Sequence, residues 1–424
     1  MTDVRPHPAT GQPHHAWRYR WTILGVATFV QAASGFFVQG IGAMGVHLQR
    51  DLHLSTAELG LLLSAAQLVP LVGLLVAGEM LDRYNERWVV GAGAGVVAVS
   101  LGLGSMAPGY VSLLLVLLVV GAGYSTVQPG GSKSVASWFG ESQRGLAMGI
   151  RQAGLPLGGV VAAAAMPVLA TAFGWRVTLT VGGLVALAGA AAFMGFYRRP
   201  PVRGRSLERT QRDVTLKARL RILRQPPMVK IILSGVCLVS VHSAVGVLTV
   251  VYLHETASMG AGDAALVLVA AQGAGAAGRV CLAAWSDRGG SSGRYGTVMT
   301  CMVAVTAGMA ALMTPAGHSP IAASLLFLWL GFFGIGWYGP WVAHLAESAP
   351  PGQTGFAIGL AMAVTQIAVI LAPPSLGLLK DATHSFTPVW GALSAMTVLA
   401  LVMSSRVRTR HTCDRTRRGG RVRS

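Results

Sequence analysis

The 424-residue chain is 53% hydrophobic and only 11% charged, with a mean hydropathy of +0.57. Soluble domains carry roughly 25% charged residues, so this composition predicts a polytopic membrane protein. The formal net charge of +18 would favour a nucleic-acid partner in a soluble chain. Nineteen of the 33 Lys and Arg, however, lie in residues 198–230 and 406–424, where attraction to anionic lipid explains them. We therefore predict no nucleic-acid binding.

Hydrophobic windows long enough to cross about 30 Å of hydrocarbon recur along the chain. They predict an all-α integral membrane fold of twelve transmembrane helices, hereafter spans, in two six-helix halves. The first six spans are expected at residues 21–47, 58–81, 88–107, 111–136, 145–170 and 177–197. The second six are expected at residues 228–253, 263–285, 295–316, 319–345, 355–379 and 386–405.

The spans and the charges together predict the organisation of the chain. Lys and Arg are concentrated in the loops on one side, and the positive-inside rule therefore predicts that both termini are cytoplasmic. We expect a multi-pass protein of the bacterial inner membrane that functions as a monomer. Its predicted parts are an N-terminal tail (1–20), a first half (21–197), a basic central loop (198–227), a second half (228–405) and a basic tail (406–424).

An internal repeat relates the two halves. A shift of 205 residues aligns ELGLLLSAAQLVPLVGLLVAGEMLDR (58–83) with DAALVLVAAQGAGAAGRVCLAAWSDR (263–288) without a gap. Both segments open with an acidic residue, share the tripeptide AAQ and close with Asp-Arg. The two halves are therefore predicted to be pseudo-symmetric.

The turn between spans 2 and 3 reads GEMLDRYNER, from Gly78 to Arg87. Asp82 and its repeat partner Asp287 end their helices, where a carboxylate is poorly placed for the helix dipole. It is better placed if it faces the positive N-terminus of another helix or an arginine of the turn. A charged latch at the cytoplasmic ends is one interpretation, and a short charged turn that only sets topology is the other.

With twelve spans in two halves, a long basic central loop and this G-x-x-x-D-R-x-x-x-R pattern, the chain resembles the major facilitator superfamily. The resemblance implies secondary transport by alternating access, with substrate bound near the membrane midplane between the halves. It also implies gating roles for Arg144 at the inner end of span 5 and for residues at the two related turns, namely Gly78, Asp82, Arg83, Arg87, Asp287 and Arg288. The second turn lacks the glycine and is longer, as far as Arg294, so we expect a looser gate there.

Two arginines are the charged residues that the sequence places near the midplane. Arg151 lies seven residues beyond Arg144 in span 5, and Arg279 lies eight residues before Asp287 in span 8. At 1.5 Å per residue these positions are about 10 and 12 Å deep, and an arginine there costs at least about 2.5 kcal/mol. All fifteen Asp and Glu lie in loops or near span ends. The pair predicts an anion site, above all for a carboxylate, unless the arginines bond helix carbonyls or snorkel to the cytoplasm.

Other polar residues at mid-depth complete the predicted substrate site. Most of them could simply bond neighbouring helices, at about 0.6 kcal/mol each. One of them, His242, could take and release a proton near neutral pH, which makes protons a candidate coupling ion, or it could be a hydrogen-bonded packing residue. The predicted set is Gln31, Tyr124, Gln128, Gln152, His242, Tyr338 and Gln366.

The stretch WFGESQRGLAMGIRQAGLPLGG, around Arg151, resembles the fifth span of monocarboxylate-type members of the superfamily. Arg279 lies where monocarboxylate and oxalate/formate transporters carry the arginine that anchors their substrate. The chain departs from these types because its basic turn is reduced to Arg144 and because Gln366 stands where the oxalate/formate type has a lysine.

The sequence thus predicts a secondary transporter of a small mono- or dicarboxylate. We expect no cofactor, no metal site and no enzyme activity, since the sequence has no nucleotide-binding loop and no cluster of metal ligands. A multidrug or metabolite efflux carrier of the same fold is the first alternative. A receptor that binds ligand without transporting it is the second.

Overall fold

The computed structural model describes residues 14–54, 56–200 and 225–419. Most of these residues are helical, and no strand occurs among them. Residues 1–13 of the predicted N-terminal tail and 201–224 of the predicted central loop lie outside the described part of the chain. Nine of the described helices are long and apolar enough to cross a membrane by length and composition.

The first half contains spans 1 to 6. Span 1 is followed by two short helices, Ile41–Met44 and Gly45–Asp51, before span 2 begins. Spans 1 to 4 are His14–Gly40, the pair Thr56–Leu68 and Pro70–Arg83, Glu86–Gly104 and Tyr110–Trp138, and spans 5 and 6 lie within Glu141–Phe196.

The second half contains spans 7 to 12. Span 10 is divided at Trp337, and span 12 continues as a helix to Gly419, beyond its predicted end. Spans 7 to 12 are Pro226–Glu255, Ala261–Asp287, Gly290–Leu312, the pair Pro320–Gly336 and Tyr338–Ser348, Thr354–Thr383 and Thr387–Gly419.

The connection between spans 5 and 6 is a single glycine. Gly174 has φ 81° and ψ 163°, a conformation in which a side chain would be strained. The chain changes direction at this residue, so that span 6 follows span 5 without a longer loop. Span 2 is interrupted for a different reason. Pro70 begins the second of its two helices, because proline lacks the N–H that a continuous helix requires at that position. Counted with these two features and the division of span 10 at Trp337, the described helices are consistent with the twelve predicted spans.

Glycines bring the two halves into direct contact. Spans 2 and 11 meet where a Cβ added to Gly359 would lie 2.3 Å from the carbonyl oxygen of Leu74. Spans 5 and 8 meet where a Cβ added to Gly149 would lie 2.2 Å from the carbonyl oxygen of Arg279. Such close backbone approach is what small residues permit between membrane helices. These close contacts determine which residues of the two halves lie opposite one another.

Candidate functional site

Arg151 lies in span 5 and is fully buried. Its Nη2 donates to Oε1 of Gln31 at 2.9 Å and to the carbonyl oxygens of Gln128 at 2.7 Å and Val127 at 3.1 Å. Its Nη1 donates to Oγ of Ser132 at 2.9 Å. Protein acceptors of spans 1 and 4 therefore occupy both terminal nitrogens, and the guanidinium holds spans 1, 4 and 5 together within the first half.

A glycine makes room for this guanidinium. A Cβ added to Gly131 would lie 2.5 Å from Nε of Arg151, closer than real Cβ atoms approach a neighbour. Gly131 follows Gly130 and Pro129 in span 4. The sequence analysis did not single out Gly131 or Ser132, although the adjacent glycines of a proline-containing span were a signal of close approach.

Arg279 in span 8 is the second deep arginine, with 4% of its surface exposed. Its Nη1 donates across the interface between the halves to the carbonyl oxygen of Gln152 at 2.7 Å, and its Nε donates to that of Ile335 at 3.3 Å. Its Cζ lies 5.9 Å from the centre of the Tyr338 ring. Among the described residues, Nη2 of Arg279 has no hydrogen-bond acceptor. One edge of this guanidinium is therefore available.

The two arginines belong to one network between the halves. Gln128, whose carbonyl accepts from Arg151, donates from Nε2 to the hydroxyl of Tyr338 at 3.4 Å. The hydroxyls of Tyr124 and Tyr338 lie within electrostatic reach of both arginines. Neither Arg151 nor Arg279 forms an ion pair with a carboxylate of the described residues.

Several buried polar atoms around this network have no hydrogen-bond partner among the described residues. They are Nε2 of Gln31, Nε of Arg151, both amide atoms of Gln152, and Nε1 of Trp337. Most buried polar atoms in proteins are paired with protein or water. Four of these five atoms are donors, so the network can hydrogen-bond an electron-rich ligand.

The last two predicted site residues lie apart from this network or at its edge. Gln366 in span 11 donates to the carbonyl oxygen of Gln67 at 3.2 Å, and so contacts span 2. His242 in span 7 is half-buried and lies within electrostatic reach of Arg279. The structure thus brings Gln31, Tyr124, Gln128, Arg151, Gln152, Arg279 and Tyr338 together.

The first of two carboxylate contacts between the halves lies at the end of the bundle that carries the 2–3 and 8–9 turns, here called the basic end. Asp82, at the end of span 2, accepts from the backbone N–H groups of Gly355 and Phe356, both at 2.9 Å. These N–H groups belong to the first turn of span 11, where the helix dipole favours a negative charge. Gly78 lies against the same turn, since its added Cβ would be 2.8 Å from the carbonyl oxygen of Gly355.

The second contact repeats the first with the halves exchanged. Asp287, at the end of span 8, accepts from the backbone N–H groups of Gly145 and Leu146, both at 2.7 Å. These residues lie near the N-terminal end of span 5. Both predicted latch carboxylates therefore lie against the beginning of a helix of the opposite half, and the bundle is closed at its basic end.

Cations reinforce both contacts, and the second more than the first. Lys133 lies 3.4 Å from Asp82 and 3.3 Å from Glu86. At the second contact Arg294, which is fully buried, pairs with Asp287 at 3.0 Å and also with Glu347, which Arg144 joins at 2.9 Å. We expected a looser gate at this turn, but the longer turn instead brings Arg294 between two carboxylates. Glu347 was not among the predicted gating residues.

Three of the predicted gating arginines do not reach these contacts. Arg83 pairs with Glu79 of its own helix at 2.6 Å. Arg87 lies over the ring of Trp88 at 5.5 Å, and Arg288 is exposed. Sequence proximity to the aspartates placed these arginines in the predicted set, but none of the described hydrogen bonds or ion pairs joins them to Asp82 or Asp287.

Comparison with known proteins agrees with this architecture. A family model described as the Major Facilitator Superfamily matches residues 26–373. The probable galactarate/D-glucarate transporter of Bacillus subtilis is 24% identical over 417 residues, which cover 90% of each chain. The hexuronate transporter of the same organism is 28% identical over 154 residues, or 36% of each chain.

A crystal structure of the transporter FucP in the outward conformation superposes with a TM-score of 0.75 and 15% identity. The match covers 91% of this chain and 97% of that one. At this identity the superposition shows the shared fold, whereas the family match covers most of the sequence. The chain is a membrane transporter, not an enzyme, and belongs to the Major Facilitator Superfamily.

Proposed function

We propose that the protein carries a small organic anion, specifically a sugar acid, across the bacterial inner membrane by alternating access. The main support for this proposal is the free Nη2 edge of Arg279. It lies in a buried network in which no carboxylate of the described residues pairs with an arginine. A guanidinium and a carboxylate form strong charge-assisted hydrogen bonds when water is excluded. A bound carboxylate would supply the negative charge that the described residues of this network lack.

The unpaired amides support a hydroxylated substrate over a simple carboxylate. Gln152 is fully buried, yet neither its amide nitrogen nor its amide oxygen has a partner in the described part of the chain. A sugar hydroxyl can donate to one amide atom and accept from the other. A hexuronate or an aldarate combines such hydroxyls with a carboxylate, and relatives named for these substrates match the chain. A lipophilic cation would meet two arginines here, which disfavours the multidrug alternative.

The contacts at the basic end support the gating part of the proposal. If this end is cytoplasmic, as the distribution of Lys and Arg predicts, the structure corresponds to a state closed toward the cytoplasm. Asp82 and Asp287 each bond a helix of the other half, so movement of the halves about the site must break both contacts. The two carboxylates then act as latches for this state.

Counterflow in proteoliposomes tests the proposed function. Vesicles loaded with unlabelled D-glucuronate should accumulate radiolabelled D-glucuronate from outside, and excess galactarate should compete. Binding without counterflow would instead identify a receptor that does not transport. Counterflow of a lipophilic cation, with no response to sugar acids, would contradict the proposal in favour of the efflux alternative.

Replacing the first latch should slow transport without weakening binding. Asn at position 82 keeps one acceptor oxygen but presents an NH₂ group to the second backbone N–H, so Asp82→Asn loses at least one charge-assisted bond of about 1.5 to 3 kcal/mol. We expect D-glucuronate counterflow to fall several-fold, with an unchanged dissociation constant. The control is Arg83→Gln, since the partner of Arg83 lies on its own helix. Normal counterflow by Asp82→Asn would show that this contact does not gate.

A further inference from the structure

Spans 1, 4 and 6 meet at the basic end of the bundle, at a junction of aromatic and arginine side chains. Span 1 contributes Tyr19, span 4 contributes Trp138, and the chain leaves span 6 through Arg198. The ring centres of Tyr19 and Trp138 lie 5.9 Å apart, and Cζ of Arg198 lies 5.0 Å from the centre of the Tyr19 ring. Nε1 of Trp138 donates to the carbonyl oxygen of Arg198 at 3.0 Å. These three contacts form a closed cycle, so both the backbone and the guanidinium of Arg198 are held in place.

The end of span 6 does not use this guanidinium. A cation beyond the last turn of a helix commonly hydrogen-bonds the free carbonyl groups of that turn. Here the hydroxyl of Tyr19 donates to the carbonyl oxygen of Phe196, and Trp138 donates to that of Arg198. The guanidinium of Arg198 itself forms no hydrogen bond or ion pair with the described residues. Its position is therefore fixed while its donors remain available.

Two more arginines adjoin this position. Arg18 directly precedes Tyr19 in span 1, and Arg199 directly follows Arg198. Both are exposed, and neither forms a hydrogen bond or ion pair with the described residues. Three guanidinium groups therefore extend from one junction toward the membrane surface, with donors that can meet an external anion.

The carboxylate that contacts this end of span 6 is already engaged. Glu86 accepts from the hydroxyl of Tyr197 at 3.3 Å and pairs with Lys133 at 3.3 Å. Apolar surface lies beside the arginines, since the rings of Trp21 and Phe196 are exposed on the outside of the bundle. Aromatic side chains of this kind are enriched at the membrane interface, at the level of the lipid headgroups. The junction thus combines uncompensated positive charge with apolar surface.

We propose that the junction of spans 1, 4 and 6 binds the headgroup of an anionic phospholipid, with Arg198 as the main ligand of its phosphate. A guanidinium can bind two phosphate oxygens through parallel hydrogen bonds. The basic end is the end predicted to be cytoplasmic, where basic pockets between membrane helices bind anionic headgroups. The acyl chains then lie along the exposed rings of Trp21 and Phe196. This site is separate from the anion site between the halves and does not depend on the substrate proposed for it.

The fixed guanidinium distinguishes this site from general attraction to the membrane. General attraction contributes roughly fivefold in affinity for each arginine near an anionic surface, wherever that arginine lies. A hydrogen bond to a charged group contributes at least about tenfold. Because the ring of Tyr19 already holds Arg198, little side-chain freedom is lost when the lipid binds. Affinity at this site should therefore depend on an uncharged ring as well as on charge.

Native mass spectrometry of the purified full-length protein, titrated with phosphatidylglycerol, tests the inference. The titration gives the dissociation constant of the first bound lipid. We expect Arg198→Gln to weaken binding at least about tenfold. Tyr19→Leu should weaken it several-fold without a change of charge, whereas Tyr19→Phe keeps the ring and should bind nearly as the wild type does. Phosphatidylethanolamine, which has no net charge, should bind the wild type more weakly than phosphatidylglycerol.

Arg288→Gln is the matched control, because Arg288 is exposed at the same end of the bundle and contacts no ring of the described residues. It removes the same charge and should cost no more than the roughly fivefold of general attraction. If Tyr19→Leu does not fold, the comparison of Arg198→Gln with Arg288→Gln still decides. Equal losses in these two variants would overturn the inference in favour of general attraction. Phosphatidylethanolamine bound as tightly as phosphatidylglycerol, or displacement of the lipid by inorganic phosphate at equal concentration, would overturn the assignment to an anionic lipid.

Discussion

Arg279→Gln should weaken D-glucuronate binding at least tenfold. The free Nη2 edge of Arg279 is the described group best placed to meet a carboxylate, and hydrogen bonds to charged groups contribute about 1.5 to 3 kcal/mol, which is roughly 10- to 150-fold in affinity. Isothermal titration of the purified variant gives the dissociation constant. Counterflow should fall in parallel, because the substrate must bind before the halves move.

The control for this variant is Arg176→Gln. Arg176 is exposed and lies over the ring of Trp175 at 4.3 Å. It follows Gly174, where spans 5 and 6 meet, at the opposite end of span 5 from Arg144. The Arg176→Gln variant makes the same chemical change at a site where no substrate contact is proposed. Its affinity for D-glucuronate should therefore match that of the wild type. An Arg279→Gln carrier with wild-type affinity would remove the main support for an anion site.

Arg279→Lys separates charge from geometry. Lysine keeps the positive charge but loses the planar fork that can bind a carboxylate through two nitrogens. Its single ammonium nitrogen also cannot donate to the carbonyl oxygen of Gln152 and to the substrate from two separate positions, as a guanidinium can. We expect an affinity between those of the wild type and Arg279→Gln. Full restoration by lysine would mean that only charge matters at this position.

The overall fold could be predicted from the sequence because hydrophobic length and repeat alignment report directly on membrane helices. The apolar windows predicted the spans, and the match of 58–83 with 263–288 predicted two related halves. The division of span 2 at Pro70 and the turn at Gly174 depend on single residues within apolar windows. A hydropathy average over some twenty residues does not resolve such features.

The positions of the two arginines along their helices could also be predicted, since they follow from helix rise alone. Their partners could not. Arg151 bonds Gln128 and Ser132 of span 4, and Arg279 bonds the carbonyl of Gln152, and these contacts depend on how the helices rotate about their axes. Both arginines bond helix carbonyls, as one of the two interpretations expected, and the anion site stays a prediction. Arg151 is held by protein acceptors, including helix carbonyls, whereas Arg279 keeps one edge free.

Gly131→Ala should destabilise the protein and weaken substrate binding, although Gly131 is not proposed to touch the substrate. The new Cβ would lie 2.5 Å from Nε of Arg151, so the guanidinium must move away from its acceptors. Overpacking of this kind typically costs about 1 to 3 kcal/mol. Gln31 and Gln128 are oriented by the same guanidinium, and their displacement would disturb the network that faces the substrate. Thermal melting with and without D-glucuronate measures both effects.

Gly102→Ala is the control, since a Cβ at Gly102 meets nothing within 4 Å and alanine favours the helix. Its melting temperature should equal or slightly exceed that of the wild type. A double variant then identifies the cause. If the clash acts through Arg151, Gly131→Ala should add little to Arg151→Gln, because the glutamine no longer fills the space beside Gly131. Additive losses would mean that Gly131 supports the span by another contact, and wild-type melting and binding by Gly131→Ala would show that the guanidinium is free to move without consequence.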